Sequence, residues 1–182
     1  MNIDKLLMDN AKGIVEAMDK VADAALPKEI VDIVKLHSKL AVGSAWIPVP
    51  GADIAAGAAT IWGMYIRINN KIGLSFSENV MKTIGSGVAT NLVSYVAMSG
   101  FASAIKFIPG IGTIGGALLM SASLYAITLT SGYVYLRAIR ALAENKKRNF
   151  SGKDLESAVN RELLNKTEVK RFFNESKQTY KK

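Results

Sequence analysis

Lys106-Phe-Ile-Pro-Gly-Ile-Gly112 is a proline and glycine corner set between two stretches that carry no charged side chain. Residues 83–105 and 107–136, 23 and 30 residues long, contain no Asp, Glu, Lys or Arg, which leaves Lys106 as the only charge between Lys82 and Arg137. Length and pattern predict an all-α fold: a helical bundle built around a long apolar hairpin, its arms at about 76–105 and 113–143. Strand-period alternation of useful length is absent from the sequence. The second arm is apolar around its whole circumference, so it has to be buried in protein or in lipid. Each charge-free run also exceeds the ~20 residues that a bilayer crossing requires. Three architectures follow from this: an integral membrane hairpin, a soluble bundle, or a bundle that shelters the hairpin and releases it onto a membrane.

Outward from the corner, the flanking helices read as support. Ile3, Leu6, Leu7, Ile14, Met18 and Val21 recur at helical spacing and predict an amphipathic helix over 3–24. Pro27 suits a first helical position, with Glu29 in the following turn, and the helix it opens extends to about Ala45. Trp46-Ile-Pro-Val-Pro-Gly51 ends it, since the residue before a proline is pushed out of the α region. A third helix starts at about Pro50 and carries Asp53, the only charge between Lys39 and Arg67. A carboxylate in a first turn meets unsatisfied N–H groups, so a structural cap is one reading of Asp53 and a buried functional acid the other. Asn69 to Leu74 reads as a turn, and Ser75-Phe-Ser-Glu78 as a capping box for the first arm. Beyond the second arm, Ser151 caps a short helix over 152–165, and Thr167 opens another that runs to about Lys177. We divide the chain into a helical domain at 1–149 and a basic helical tail at 150–182.

Charge and composition narrow the function. The net charge is +8, but residues 1–136 hold 10 Lys/Arg against 9 Asp/Glu, whereas 137–182 hold 13 against 6, a net of +7. A basic segment following an apolar one fits an anionic membrane face, where each Lys or Arg contributes about 1 kcal/mol. The mixture of 13 basic with 6 acidic residues argues for a solvated helical face over a nucleic-acid-binding one. Zero cysteines and the single His37 exclude disulfide frameworks, thiol nucleophiles and most histidine-ligated metals. His37 has no positioned carboxylate and reads as a solvated or partly packed side chain. We expect no enzyme activity, catalytic residue, cofactor or metal. The N-terminal residues lack the apolar run of a secretory signal, which predicts a chain made and kept without one.

The corner has a counterpart. Ile47-Pro48 followed by Gly51 recurs as Ile108-Pro109 followed by Gly112, shifted by 61 residues, and each copy opens a glycine- and alanine-rich helix that ends near tyrosine and arginine. The pattern suggests a pseudo-repeat of helix, Ile-Pro-x-x-Gly and helix. The structural and functional corner residues are then Pro48, Pro50, Gly51, Asp53, Lys106, Pro109, Gly110, Gly112 and Gly116.

Ile47-Pro-Val-Pro-Gly-Ala-Asp53, Asn70-Lys-Ile-Gly73 ahead of Ser77-Glu78, and Lys106-Phe-Ile-Pro-Gly-Ile-Gly112 with Gly115 and Gly116 resemble the bacterial YcjF-like family over residues 38–140. That resemblance implies a helical, membrane-associated domain of unknown function found beside Era-like and dynamin-like GTPases. No Gly-x-x-x-x-Gly-Lys-Ser/Thr loop occurs here, so a GTPase would be a partner in trans. The combined expectation is a non-enzymatic membrane-associated interaction or membrane-remodelling module that binds anionic lipid and self-associates, at the bacterial inner membrane or its cytoplasmic face. The alternatives are a pore-forming or toxin-like effector inserting the 83–136 hairpin, and a cytoplasmic helical-bundle scaffold.

Overall fold

The computed structural model describes residues 20, 23, 27–44, 52–98, 113–146, 150–167 and 169. Among the described residues five helices are delimited: α1 (Lys28–Ser44), α2 (Ala52–Ile72), α3 (Glu78–Met98), α4 (Thr113–Lys146) and α5 (Gly152–Leu164). No strand occurs among the described residues. The all-α expectation is met.

Local chemistry sets the boundaries. The helix opened by Pro27 begins with Ile30 and Val31 N–H both donating to the Pro27 carbonyl, at 2.9 and 3.0 Å. α2 runs through the segment read as a turn and ends at Gly73, whose φ of +74° is left-handed. There the Leu74 N–H donates to the Asn69 carbonyl at 2.9 Å, the six-to-one bond of a Schellman ending, which glycine permits without a side-chain clash. The cap of α3 falls on Ser77 rather than Ser75: Ser77 Oγ accepts from the Val80 N–H at 3.4 Å, and the Ser77 carbonyl takes the Met81 N–H. For α5 the reading of Ser151 holds. Its hydroxyl accepts from the Asp154 N–H at 3.3 Å while the Asp154 carboxylate accepts from the Ser151 N–H at 2.8 Å, a closed capping box.

α4 is the hub of the bundle. It packs against each of the other four described helices, and every residue from 124 to 135 is buried. Around it the order is α1, α2, α3, α5: α2 touches both α1 and α3, and α3 touches α5. α2 and α4 run parallel, with Gly57 against Leu124, Tyr65 against Ser131 and Asn69 against Tyr135. α3 is antiparallel to α2, Gly85 meeting Trp62 and Met81 meeting Asn69. The chain therefore goes up and down through the bundle, placing the start of α1, the end of α2, the end of α4 and the start of α5 at one end. α2 and α4 begin at Ala52 and Thr113, 61 residues apart, the same shift that separates the two Ile-Pro elements.

Among the described residues the long apolar hairpin is not found. α3 and α4 do pack together, but α3 turns Thr83, Ser86, Thr90, Asn91 and Ser94 outward, and α4 is buried by its neighbours from residue 124 to 135. Thr90, Asn91 and Ser94 each donate to the carbonyl four residues back, at 2.9–3.1 Å. These side chains satisfy themselves without charge, which is why a charge-free helix here is not an apolar one. The bilayer-crossing expectation is corrected with it: among the described residues, no helix is long and apolar enough to cross a membrane.

Candidate functional site

The corner residues singled out from sequence are largely beyond what the structure describes. Pro48, Pro50, Gly51, Lys106, Pro109, Gly110 and Gly112 lie outside the described residues. Asp53 is the second residue of α2, and Gly116 the fourth of α4.

Two other places on the molecule concentrate chemistry. The first is a polar layer in the core. Tyr65 and Tyr135 stack with ring centroids 3.9 Å apart and planes within 7°. The Tyr135 hydroxyl donates to Asn69 Oδ1 at 2.9 Å, and Asn69 Nδ2 points at Met81 Sδ, 3.1 Å away. The Tyr65 hydroxyl donates to the Ser131 carbonyl at 3.3 Å. Burial pushes both phenols well above their ordinary range, so they remain neutral donors at any pH the protein meets. Sequence reading placed Asn69 in a turn, which hid its role in joining α2, α3 and α4. The usable signal was the tyrosine near the end of each glycine-rich helix.

His37 is more buried than its sequence context suggested. Its Nδ1 lies 2.8 Å from the Ile33 carbonyl, so Nδ1 carries the proton and donates. Desolvation lowers its pKa below the ordinary 6.5, opposed by the backbone hydrogen bond and assisted by the Arg67 charge. Among the described residues, no group of three or more His, Cys, Asp or Glu side chains is placed to hold a metal ion.

The second place is a seam at the charged end of the bundle. α1 and α5 do not touch among the described residues, so the ring around α4 stays open between them. α5 spans 13 residues, about 20 Å, whereas α4 with 34 residues extends about 51 Å. The cleft at this seam, of about 860 Å3, has a floor that includes Ile30, Ile72, Leu136, Ile139 and Phe150. Among the described residues its charged lining is Lys71, Arg137 and Arg140, with Glu29 of the opposite sign.

These basic groups are held differently. Arg137 Nε donates to Glu162 Oε2 at 2.8 Å and Nη1 to the Tyr133 hydroxyl at 3.3 Å. The hydrogen bond to Glu162 is the main cause that keeps the guanidinium charged, against a smaller opposing effect of burial. Arg140 bonds Glu144 one turn on at 2.9 Å, with both side chains mostly in water. An exposed pair of that kind contributes only about 0.3–0.5 kcal/mol, so Arg140 is readily re-paired. The arrangement can bind an anion over an apolar surface; the described residues offer no nucleophile and base pair in it.

No family model matches the sequence, and no solved structure matches it. Over 107 residues the chain is 30% identical to magnetosome membrane protein 22 of Magnetospirillum gryphiswaldense, an alignment that takes in 58% of this chain and 55% of that protein. The chain thus spans about half the length of the curated relative it matches.

Proposed function

We propose that the protein is a non-enzymatic helical module that associates peripherally with an anionic membrane surface through the end of the bundle where α4 finishes and α5 begins. The observation that carries this reading is the placement of charge. The segment from Arg137 onward has a net +7 in the sequence, and among the described residues Arg137 and Arg140 of α4 share one end of the bundle with Lys71 of α2. Lys and Arg near an anionic leaflet contribute about 1 kcal/mol each, enough in sum for reversible binding. Similarity to a protein named as a magnetosome membrane protein supports membrane association. The lack of a membrane-crossing helix among the described residues favours the peripheral mode. A GTPase acting in trans, suggested by the YcjF-like resemblance, and self-association are compatible extensions of this role.

Flotation of the purified chain with vesicles tests it. Binding to phosphatidylglycerol vesicles and none to phosphatidylcholine vesicles is expected, and indifference to both types would overturn the reading.

A further inference from the structure

The seam between α1 and α5 is more specific than a charged surface, and we infer that it accepts one anionic phospholipid from the bilayer, its acyl chain on the apolar floor and its headgroup against Lys71 and Arg140. This rests on the membrane reading above and names the ligand it would select.

Three features support that occupant. The cleft volume of about 860 Å3 falls in the ~300–1,000 Å3 range of small-molecule sites. Its floor is aliphatic and aromatic, supplied by Ile30 of α1, Ile72 of α2, Leu136 and Ile139 of α4, and Phe150 just before α5. Phe150 is fixed by stacking on Phe76, centroids 5.9 Å apart. That floor suits a hydrocarbon chain and gives a hydrophilic anion such as free phosphate nothing to bury.

The third feature is the charge at the rim. Lys71 and Arg140 are exposed, one at the end of α2 and the other on α4 between the positions of Leu136 and Ala143 that also line the cleft. Arg137, between them and the body, is tied to Glu162 on α5 and shapes the wall. Glu144, one turn along α4, already accepts from Arg140, so this exposed guanidinium has donors in use by an oxyanion and free to exchange it. A phosphodiester replacing Glu144 there would keep those hydrogen bonds and add the burial of its chain. An acidic soluble peptide would meet the same rim, and is the competing occupant that the test separates.

The experiment titrates the full chain with lysophosphatidylglycerol kept below its micelle concentration, using lysophosphatidylcholine and glycerol phosphate as controls and isothermal calorimetry as the readout. Saturable binding of about one lysophosphatidylglycerol per chain is expected. Lysophosphatidylcholine should bind more weakly and glycerol phosphate not at all. The double variant Lys71→Glu/Arg140→Glu changes only exposed side chains, and its folding is checked by its thermal midpoint. It should weaken lysophosphatidylglycerol binding by at least about tenfold.

Equal binding by the variant, or no saturable binding by the unaltered chain, overturns the inference; in the second case the seam is left to a peptide or to the chain's own residues. The two readings fail separately. A chain that floats with anionic vesicles yet takes no monomeric lysolipid keeps the peripheral role and loses the seam site. A chain that takes lysolipid without floating does the reverse.

Discussion

Tyr135 and Tyr65 show how little of a residue's role its type reveals. Both are buried phenols in one stack, but their hydroxyls meet different partners. Tyr135→Phe leaves the Asn69 side-chain carbonyl without its hydroxyl donor in the core, which costs about 1–3 kcal/mol. Tyr65→Phe removes a longer bond to a backbone carbonyl already engaged in its helix, at about 0.5–1.5 kcal/mol. Urea unfolding of the two variants should place Tyr135→Phe lower. His37 gives the pH response. Its folded pKa lies below the unfolded 6.5, so the unfolded chain takes up the proton first as pH falls. Stability therefore declines toward acid, beginning near that unfolded value. Compared by urea unfolding at several pH values, the unaltered protein should lose more stability on acidification than His37→Gln. A parallel decline in both would remove His37 as the cause. Neither role was legible from sequence, because both depend on which helix lies opposite.

The helices themselves were largely legible. Proline and glycine punctuation, apolar spacing and caps located all five, with ends displaced by a few residues where Gly73 and Ser77, rather than Asn69 and Ser75, made the decisive bonds. What sequence misjudged was the environment of the uncharged helices. The charge-free part of α3 beyond Lys82 presents a face of self-bonded hydroxyl and amide side chains, and in α4 the charge-free residues 124–135 are buried by neighbouring helices. Two glycines on α3 separate packing from propensity. A Cβ on Gly85 would stand 2.8 Å from Trp62 Cβ and 3.1 Å from Trp62 backbone atoms, which cannot swing aside. Gly85→Ala should destabilise by about 1–3 kcal/mol less the ~1 kcal/mol gained in helix propensity. A methyl group added at Gly87 would meet nothing within 4 Å, so Gly87→Ala should stabilise by about 0.5–1 kcal/mol. Opposite signs in thermal unfolding are the expected result, and equal signs would mean that α2 and α3 are not packed this closely.

For the whole molecule, the decisive feature is a bundle whose hub helix is buried from residue 124 to 135 while Lys71, Arg137 and Arg140 gather at one end. The charge gradient could be read directly from residue order. The seam could not, since it depends on which helices become neighbours: α1 and α5 each pack on α4 and, among the described residues, not on each other. A peripheral module of this form holds its membrane by electrostatics, which salt weakens as the screening length shrinks from about 10 Å at 0.1 M to about 3 Å at 1 M. An inserting effector would instead place the 83–136 region in lipid, where salt has little hold. The most direct measurement is therefore a high-salt wash of the full chain bound to phosphatidylglycerol vesicles. We expect the folded protein to be released into the supernatant. Retention on the vesicles after the wash would contradict the peripheral account.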